Sequence, residues 1–141
     1  MRIVSAAALA GALLAGAPAL ADEAWTSNTG TVIYESEIDG YAVLSLNHPA
    51  GQRTIYIADL AENYDARTGY FTGYWVTAAQ DVAPKAHDAC PVTILAADGD
   101  AYDTWGQVMI EFTSPGFPTG FVGATGQCFD PPTDDWNATP Q

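Results

Sequence analysis

A small antiparallel β-sandwich or β-barrel of six or seven strands, stapled by one disulfide, is the fold class that this sequence predicts. Three observations predict it. Apolar and polar residues alternate with a period of two over several short segments, turn-forming residues recur at roughly ten-residue intervals, and no stretch sustains the 3.6-residue period of a helix. Short alternating strands with close turns are the mark of sandwiches and barrels, and periodicity does not separate the two.

The elements follow in chain order. Segments 31–37 (TVIYESE) and 41–47 (YAVLSLN) flank Ile38-Asp39-Gly40, and Asp-Gly between alternating runs predicts a hairpin. On the second run Ala42, Leu44 and Leu46 share one face, with Ser45 and Asn47 on the other. His48-Pro49-Ala50-Gly51 ends that strand, because proline lacks the donor that a ladder needs. Segment 53–60 (RTIYIADL) makes the third strand of a meander, with Ile55 and Ile57 on one side. Polar residues at 61–68 suit a short helical turn. Segment 69–77 (GYFTGYWVT) resumes as a strand, with Phe71, Gly73 and Trp75 on one face and Tyr70, Thr72, Tyr74 and Val76 on the other. Gly73 between large rings predicts a bend or a backbone covered by a cross-strand aromatic. After a polar connection come strands at 91–97 (PVTILAA) and 106–113 (GQVMIEFT), the latter with Val108, Ile110 and Phe112 inward. A short strand over 120–125 precedes Cys128. The echo between GYFTGY and GFPTGF has flanks that do not align, and it reads as shared strand geometry rather than duplication.

Processing sets the boundaries. Arg2, the apolar run 3–17, Pro18 and then Ala19-Leu20-Ala21 match a bacterial-type export signal, cleaved so that the chain begins at Asp22. An uncleaved anchor is the competing reading. Ala and Gly make the run weakly apolar, Pro18 interrupts it, and a bilayer crossing needs roughly 20 strongly apolar residues, so no membrane insertion is expected after cleavage. Residues 22–128 form one domain with a single core, and 129–141 (FDPPTDDWNATPQ), acidic and proline-containing, is expected to be a loose tail. Cys90 and Cys128 are the two cysteines of a chain expected in the periplasm or outside the cell, and such a pair reads as a bridge. Closing that loop stabilises by about 4 kcal/mol in the chain-entropy picture.

Charge limits the partners. Once Arg2 is removed with the leader, Arg53, Arg67 and Lys85 face seventeen carboxylates. Such a surface repels nucleic acid and anionic membranes and favours cations or basic proteins, although a surface adapted to a salty medium has the same composition.

The densest acidic stretch is LAADGDAYDTWGQV, residues 95–108. A helix-loop-helix calcium loop starting at Asp98 needs oxygen at its fifth position, glycine at its sixth and glutamate at its twelfth, where Tyr102, Asp103 and Met109 stand. That motif is excluded. A looser calcium site built from Asp98, Asp100 and Asp103 is the remaining metal reading, and an Asp-Gly turn between strands is its rival. Catalytic signals are thin: His48 and His87 fall in loops outside any ligand-spaced cluster, and Ser45 and Ser114 lack a nucleophile context. If Phe71, Trp75, Val108, Ile110 and Phe112 face inward, Tyr70, Tyr74 and Trp105 project from the opposite face and form an aromatic binding surface, unless another layer covers them. The expected function is therefore a non-catalytic exported β-domain that binds a protein or glycan ligand, a basic protein above all, through that face or the acidic loops. A small cell-envelope hydrolase and a calcium-stabilised structural protein are the alternatives.

Overall fold

The computed structural model describes residues 23–63, 66–84, 89–116 and 118–141; the expected leader, Lys85 and His87 lie outside them. Its strands are β1 (Ala24–Ser27), β2 (Gly30–Ile38), β3 (Tyr41–His48), β4 (Gly51–Ala58), β5 (Tyr70–Val76), β6 (Ile94–Leu95), β7 (Ala101–Tyr102), β8 (Trp105–Phe112), β9 (Phe121–Thr125), β10 (Asp134–Asp135) and β11 (Ala138–Pro140). β1, β2, β3, β4, β5, β8, β9 and β11 pair in that order, all antiparallel, and β11 returns to β1. The sheet closes on itself as an eight-stranded barrel. β10 pairs with β9 just ahead of β11, and β6 and β7 form a separate two-stranded ribbon.

Local chemistry accounts for the strands. Asp39 and Gly40 both take positive φ, 49° and 83°, as the two-residue turn joining β2 to β3 requires. Glu35 sits in a bulge of β2, where the register slips between Tyr34 and Ser36. The β3–β4 pairing runs unbroken from Tyr41 opposite Ala58 to His48 opposite Gly51, and His48 Nδ1 accepts the Ala50 amide at 3.0 Å inside the turn. Residues 61–63 make a 3-10 turn, as the polar composition suggested.

Side chains fill the interior. Trp25, Val32, Leu44, Leu46, Ile55, Ile57, Phe71, Trp75, Val108, Ile110, Phe112 and Phe121 pack into one buried cluster. The inward parity expected for β5 and β8 holds, and close approach explains one glycine. Gly106 lies opposite Trp75, and a Cβ there would meet the Trp75 indole and the Gly126 carbonyl. A large ring thus occupies the space that a small neighbour leaves. The Trp75 indole donates to that same carbonyl at 2.9 Å. Gly73 reflects a close approach too, but to the Tyr56 backbone rather than to a covering ring.

The segment 129–141 corrects its expectation. It is not a loose tail: β10 and β11 lie in it, Trp136 is 1% exposed, and the Trp136 ring meets Phe121 at 4.7 Å. Its acidic and proline residues face outward while Trp136 and Ala138 enter the core, so the domain runs on to the barrel-closing strand. The strand expected over 91–97 shrinks to β6, whose only partner is β7.

Both arginines among the described residues are buried. Arg67, 2% exposed, makes a two-pronged ion pair with Glu23, Nη1 to Oε1 at 2.7 Å and Nη2 to Oε2 at 2.5 Å, beside the Phe112 ring. Arg53 enters the barrel next to Leu46 and lies 3.8 Å over the Trp75 ring. Burial pulls its pKa down to about 10, against the opposing pull of Asp134.

Candidate functional site

A second apolar cluster lies outside the barrel. Tyr41, Val43, Tyr56 and Tyr74 on β3, β4 and β5 are covered by the excursion 77–104, which contributes Cys90, Ile94, Ala96, Ala97 and Tyr102. The Cys90–Cys128 disulfide, with Cα atoms 5.5 Å apart, ties this excursion to the loop after β9. The Cys90 amide donates to Asp103 O at 2.6 Å and the Cys128 amide to Trp105 O at 2.8 Å, which fixes both ends against the start of β8.

This cover decides the fate of the aromatic candidates. Trp105 is not a projecting ring. It is 5% exposed, its indole donates to Val92 O at 2.7 Å, and Phe129 stands edge-on to it at 5.0 Å. The expected parity is right, but the excursion folds over that end of the sheet. Tyr74 is half-buried, stacked on Tyr56 at 5.0 Å, and its hydroxyl accepts the Ala97 amide at 2.9 Å. Tyr70 alone of the three is open, at 70% exposure.

The acidic stretch resolves into two environments. Asp98 accepts the Tyr56 hydroxyl at 2.9 Å, the Tyr102 hydroxyl at 2.7 Å and the Asp100 amide at 2.9 Å. The last bond, with the Gly99 amide on Ala96 O at 3.0 Å and Gly99 at φ +90°, makes a turn whose first side chain caps it. Burial works against the Asp98 carboxylate, but the amide and the two phenols outweigh it and hold its pKa below the ordinary range. The phenols respond in the opposite sense. Burial, followed by the bond to Asp98, raises Tyr56; burial raises Tyr74 as well. The bond to Asp98 and then burial push Tyr102 up to about 12. Asp98 is thus the anchor of a tyrosine cluster. Asp100 and Asp103 are exposed and line a cleft beside it. Among the described residues, no three His, Cys, Asp or Glu side chains converge as a metal site.

The open face is a groove of about 310 Å³ on the outside of β5, β8 and β9. Register builds it: Tyr70 stands opposite Glu111 and Glu111 opposite Val122, while Thr72, Met109 and Ala124 form the next row, with Asp135 beyond. Val122 is 48% exposed. An aromatic ring, the apolar side chains of Met109, Val122 and Ala124 and two carboxylates therefore share one shallow surface. No protein-family model, curated protein or solved structure matches this chain.

Chemically, this surface can bind by contact and charge. The Tyr70 ring offers apolar area with a polar tip, and Glu111 and Asp135 accept hydrogen bonds from a cation. Of the other flagged serines, the Ser45 hydroxyl donates to Glu35 across the β2 bulge, and Ser114 is held through its backbone amide, which donates to Thr119 Oγ1 at 3.0 Å. Sequence reasoning missed Glu111, Val122 and Asp135 as companions of Tyr70. The outward parity of 106–113 was the signal for Glu111; nothing local placed Asp135 beside it.

Proposed function

We propose that this chain is an exported, non-catalytic binding domain that captures a basic protein through the outer face of β5, β8 and β9. The observation that carries the reading is Tyr70, 70% exposed in a groove that also holds Val122 and the carboxylates of Glu111 and Asp135. Exposed tyrosines with apolar neighbours are the residues that anchor protein contacts. Charge supports the sign of the partner. The chain carries a net charge of −13, and both described arginines are buried, so cationic partners are steered toward the outside. Export is supported by the leader pattern at 1–21 and by the Cys90–Cys128 bridge, which suits an oxidising compartment.

Selection of a random peptide library on the immobilised protein tests the reading. The expected winners carry Lys or Arg beside an apolar residue, bind less tightly as salt rises, and lose about 30-fold in affinity to Tyr70→Ala, the ~2 kcal/mol of an interface anchor. Winners without basic residues, or equal binding to Tyr70→Ala, would remove it.

A further inference from the structure

The strand register fixes where the two carboxylates of the groove stand. Residues paired across a ladder point to the same face, so Tyr70, Glu111 and Val122 make one outward row, and Met109, Ala124 and Asp135 lie in the next. The Trp136 amide donates to Gly123 O at 2.9 Å, which keeps β10 and β11 in step with β9 and sets Asn137 beside Val122 on the groove wall. Glu111 and Asp135 therefore occupy opposite corners, two strands over and two residues along. With strands about 4.8 Å apart and a rise of about 3.4 Å per residue, that diagonal is about 12 Å between Cβ atoms.

The floor between those corners is apolar. Val122 and Ala124 stand on β9, the strand that separates the two carboxylates, and Met109 stands beside Ala124 on β8. Glu111 is half-buried and Asp135 exposed, so both meet solvent at the edges of this floor. A ligand with one cation at either corner leaves the other carboxylate and the apolar centre unused. One that fills the surface needs two cations with an apolar group between them. In an extended segment the side chains i, i+2 and i+4 share a face and span about 13 Å, close to the diagonal. Two turns of helix put residues i and i+7 only about 10.5 Å apart.

We propose that the groove takes an extended segment of the basic partner in which two basic residues flank an apolar one, in the order basic-x-apolar-x-basic. The inference rests on the binding function proposed above and names the kind of segment that this site selects. One cation pairs with Glu111 and the other with Asp135, while the apolar residue between them covers Val122 and Met109. The two ends are not equivalent. Tyr70 stands directly opposite Glu111, so the cation at that corner also meets an aromatic ring, on which a flat guanidinium stacks better than an ammonium. The net charge of −13 favours the approach of such a segment.

Amide NMR titration with blocked peptides of equal length and composition tests the spacing. Each carries two lysines, one leucine and serine elsewhere. In the first the lysines flank the leucine at alternating positions, in the second they are adjacent, and in the third they stand seven positions apart. The expected result is a saturable shift at Glu111, Val122 and Asp135, with the alternating peptide bound about fivefold more tightly than either rearrangement, the worth of one exposed charge pair. That advantage should vanish in Glu111→Gln and in Asp135→Asn alike, because each leaves only one cation with a partner, and unchanged thermal midpoints show that both variants fold. Equal binding of the three peptides, tightest binding of the widely spaced one, or an advantage that survives both variants overturns the proposal. So does a one-lysine peptide that binds as tightly as the alternating one and is weakened equally by both variants, since a single cation would then be shared. If library winners are basic and depend on Tyr70 but the spacing has no effect, only this inference falls; if no peptide shifts the groove at all, the binding function falls with it.

Discussion

Replacing Trp136 is the most direct probe of how the barrel closes. The side chain is 1% exposed against Phe121, so truncation to alanine empties a large volume and should cost about 3–5 kcal/mol. Its indole Nε1 is buried with no hydrogen-bond partner among the described residues, and an unmade bond of this kind already costs about 1–3 kcal/mol. Trp136→Phe sheds that donor along with part of the ring, so the gain offsets the smaller cavity and the net loss should stay under about 2 kcal/mol. Trp25 is the internal control. It is equally buried, but its indole donates to Thr119 O at 2.7 Å. Trp25→Phe leaves that carbonyl unpaired and should cost ~1–2 kcal/mol more than Trp136→Phe. Urea unfolding followed by far-ultraviolet circular dichroism gives all three values. A loss below about 1 kcal/mol for Trp136→Ala would mean that the last residues are a loose tail after all. Equal losses for the two phenylalanine variants would refute the account of the unpaired indole.

Other perturbations discriminate as well. Glu23→Gln alone should cost about 3–5 kcal/mol by stranding the Arg67 charge, whereas Glu23→Leu with Arg67→Met should recover most of it; urea midpoints of the two compare them. In an alkaline absorbance titration, Tyr102 should ionise near pH 12 in the folded protein and Tyr56 and Tyr74 above the ordinary phenol range, and Asp98→Asn should bring Tyr102 back down. Because those folded values are raised, the stability they contribute is full below the free phenol value of about 10 and is lost as pH climbs through the folded values. For Asp98, which is lowered, the contribution is full above the free carboxyl value of about 4 and disappears as pH falls through the folded one, so the stability gap between wild type and Asp98→Asn should close in acid. Reducing Cys90–Cys128 should remove up to about 4 kcal/mol and speed amide exchange in 77–104 well before β2, β3 and β4 respond.

The meander was legible because its signals are local. Asp39-Gly40 fixes a turn by backbone preference, and Ala42, Leu44 and Leu46 declare their face by alternation. The inward set on β5 and β8 was legible for the same reason. What covers the outside was not: 78–89 reads as a polar connection and 91–97 as an ordinary strand, and only the disulfide and the tertiary bonds to Asp103 and Trp105 lay this part of the chain over Tyr56 and Tyr74, hiding Trp105. The closing strand was illegible because Asp134, Asp135 and the prolines carry a disordered composition, while its partners, Trp25 and Phe121, lie far away in sequence. In the acidic stretch, Asp98-Gly99 announced its turn, but no spacing announced that Tyr56, 42 residues earlier, would donate its hydroxyl to Asp98.

The pairing of β1 with β11, Trp25 opposite Pro140, also sets an order of events for the nascent chain. However early the β2–β3–β4 meander forms, the two ends of the sheet cannot zip until residue 140 is free to join them. Until then β1 and β9 remain raw edges, able to pair with the same edges on another copy. A molecule whose sheet waits for β11 in this way gains most from being kept unfolded until that strand is present, and is most at risk of clumping when synthesis stalls before it.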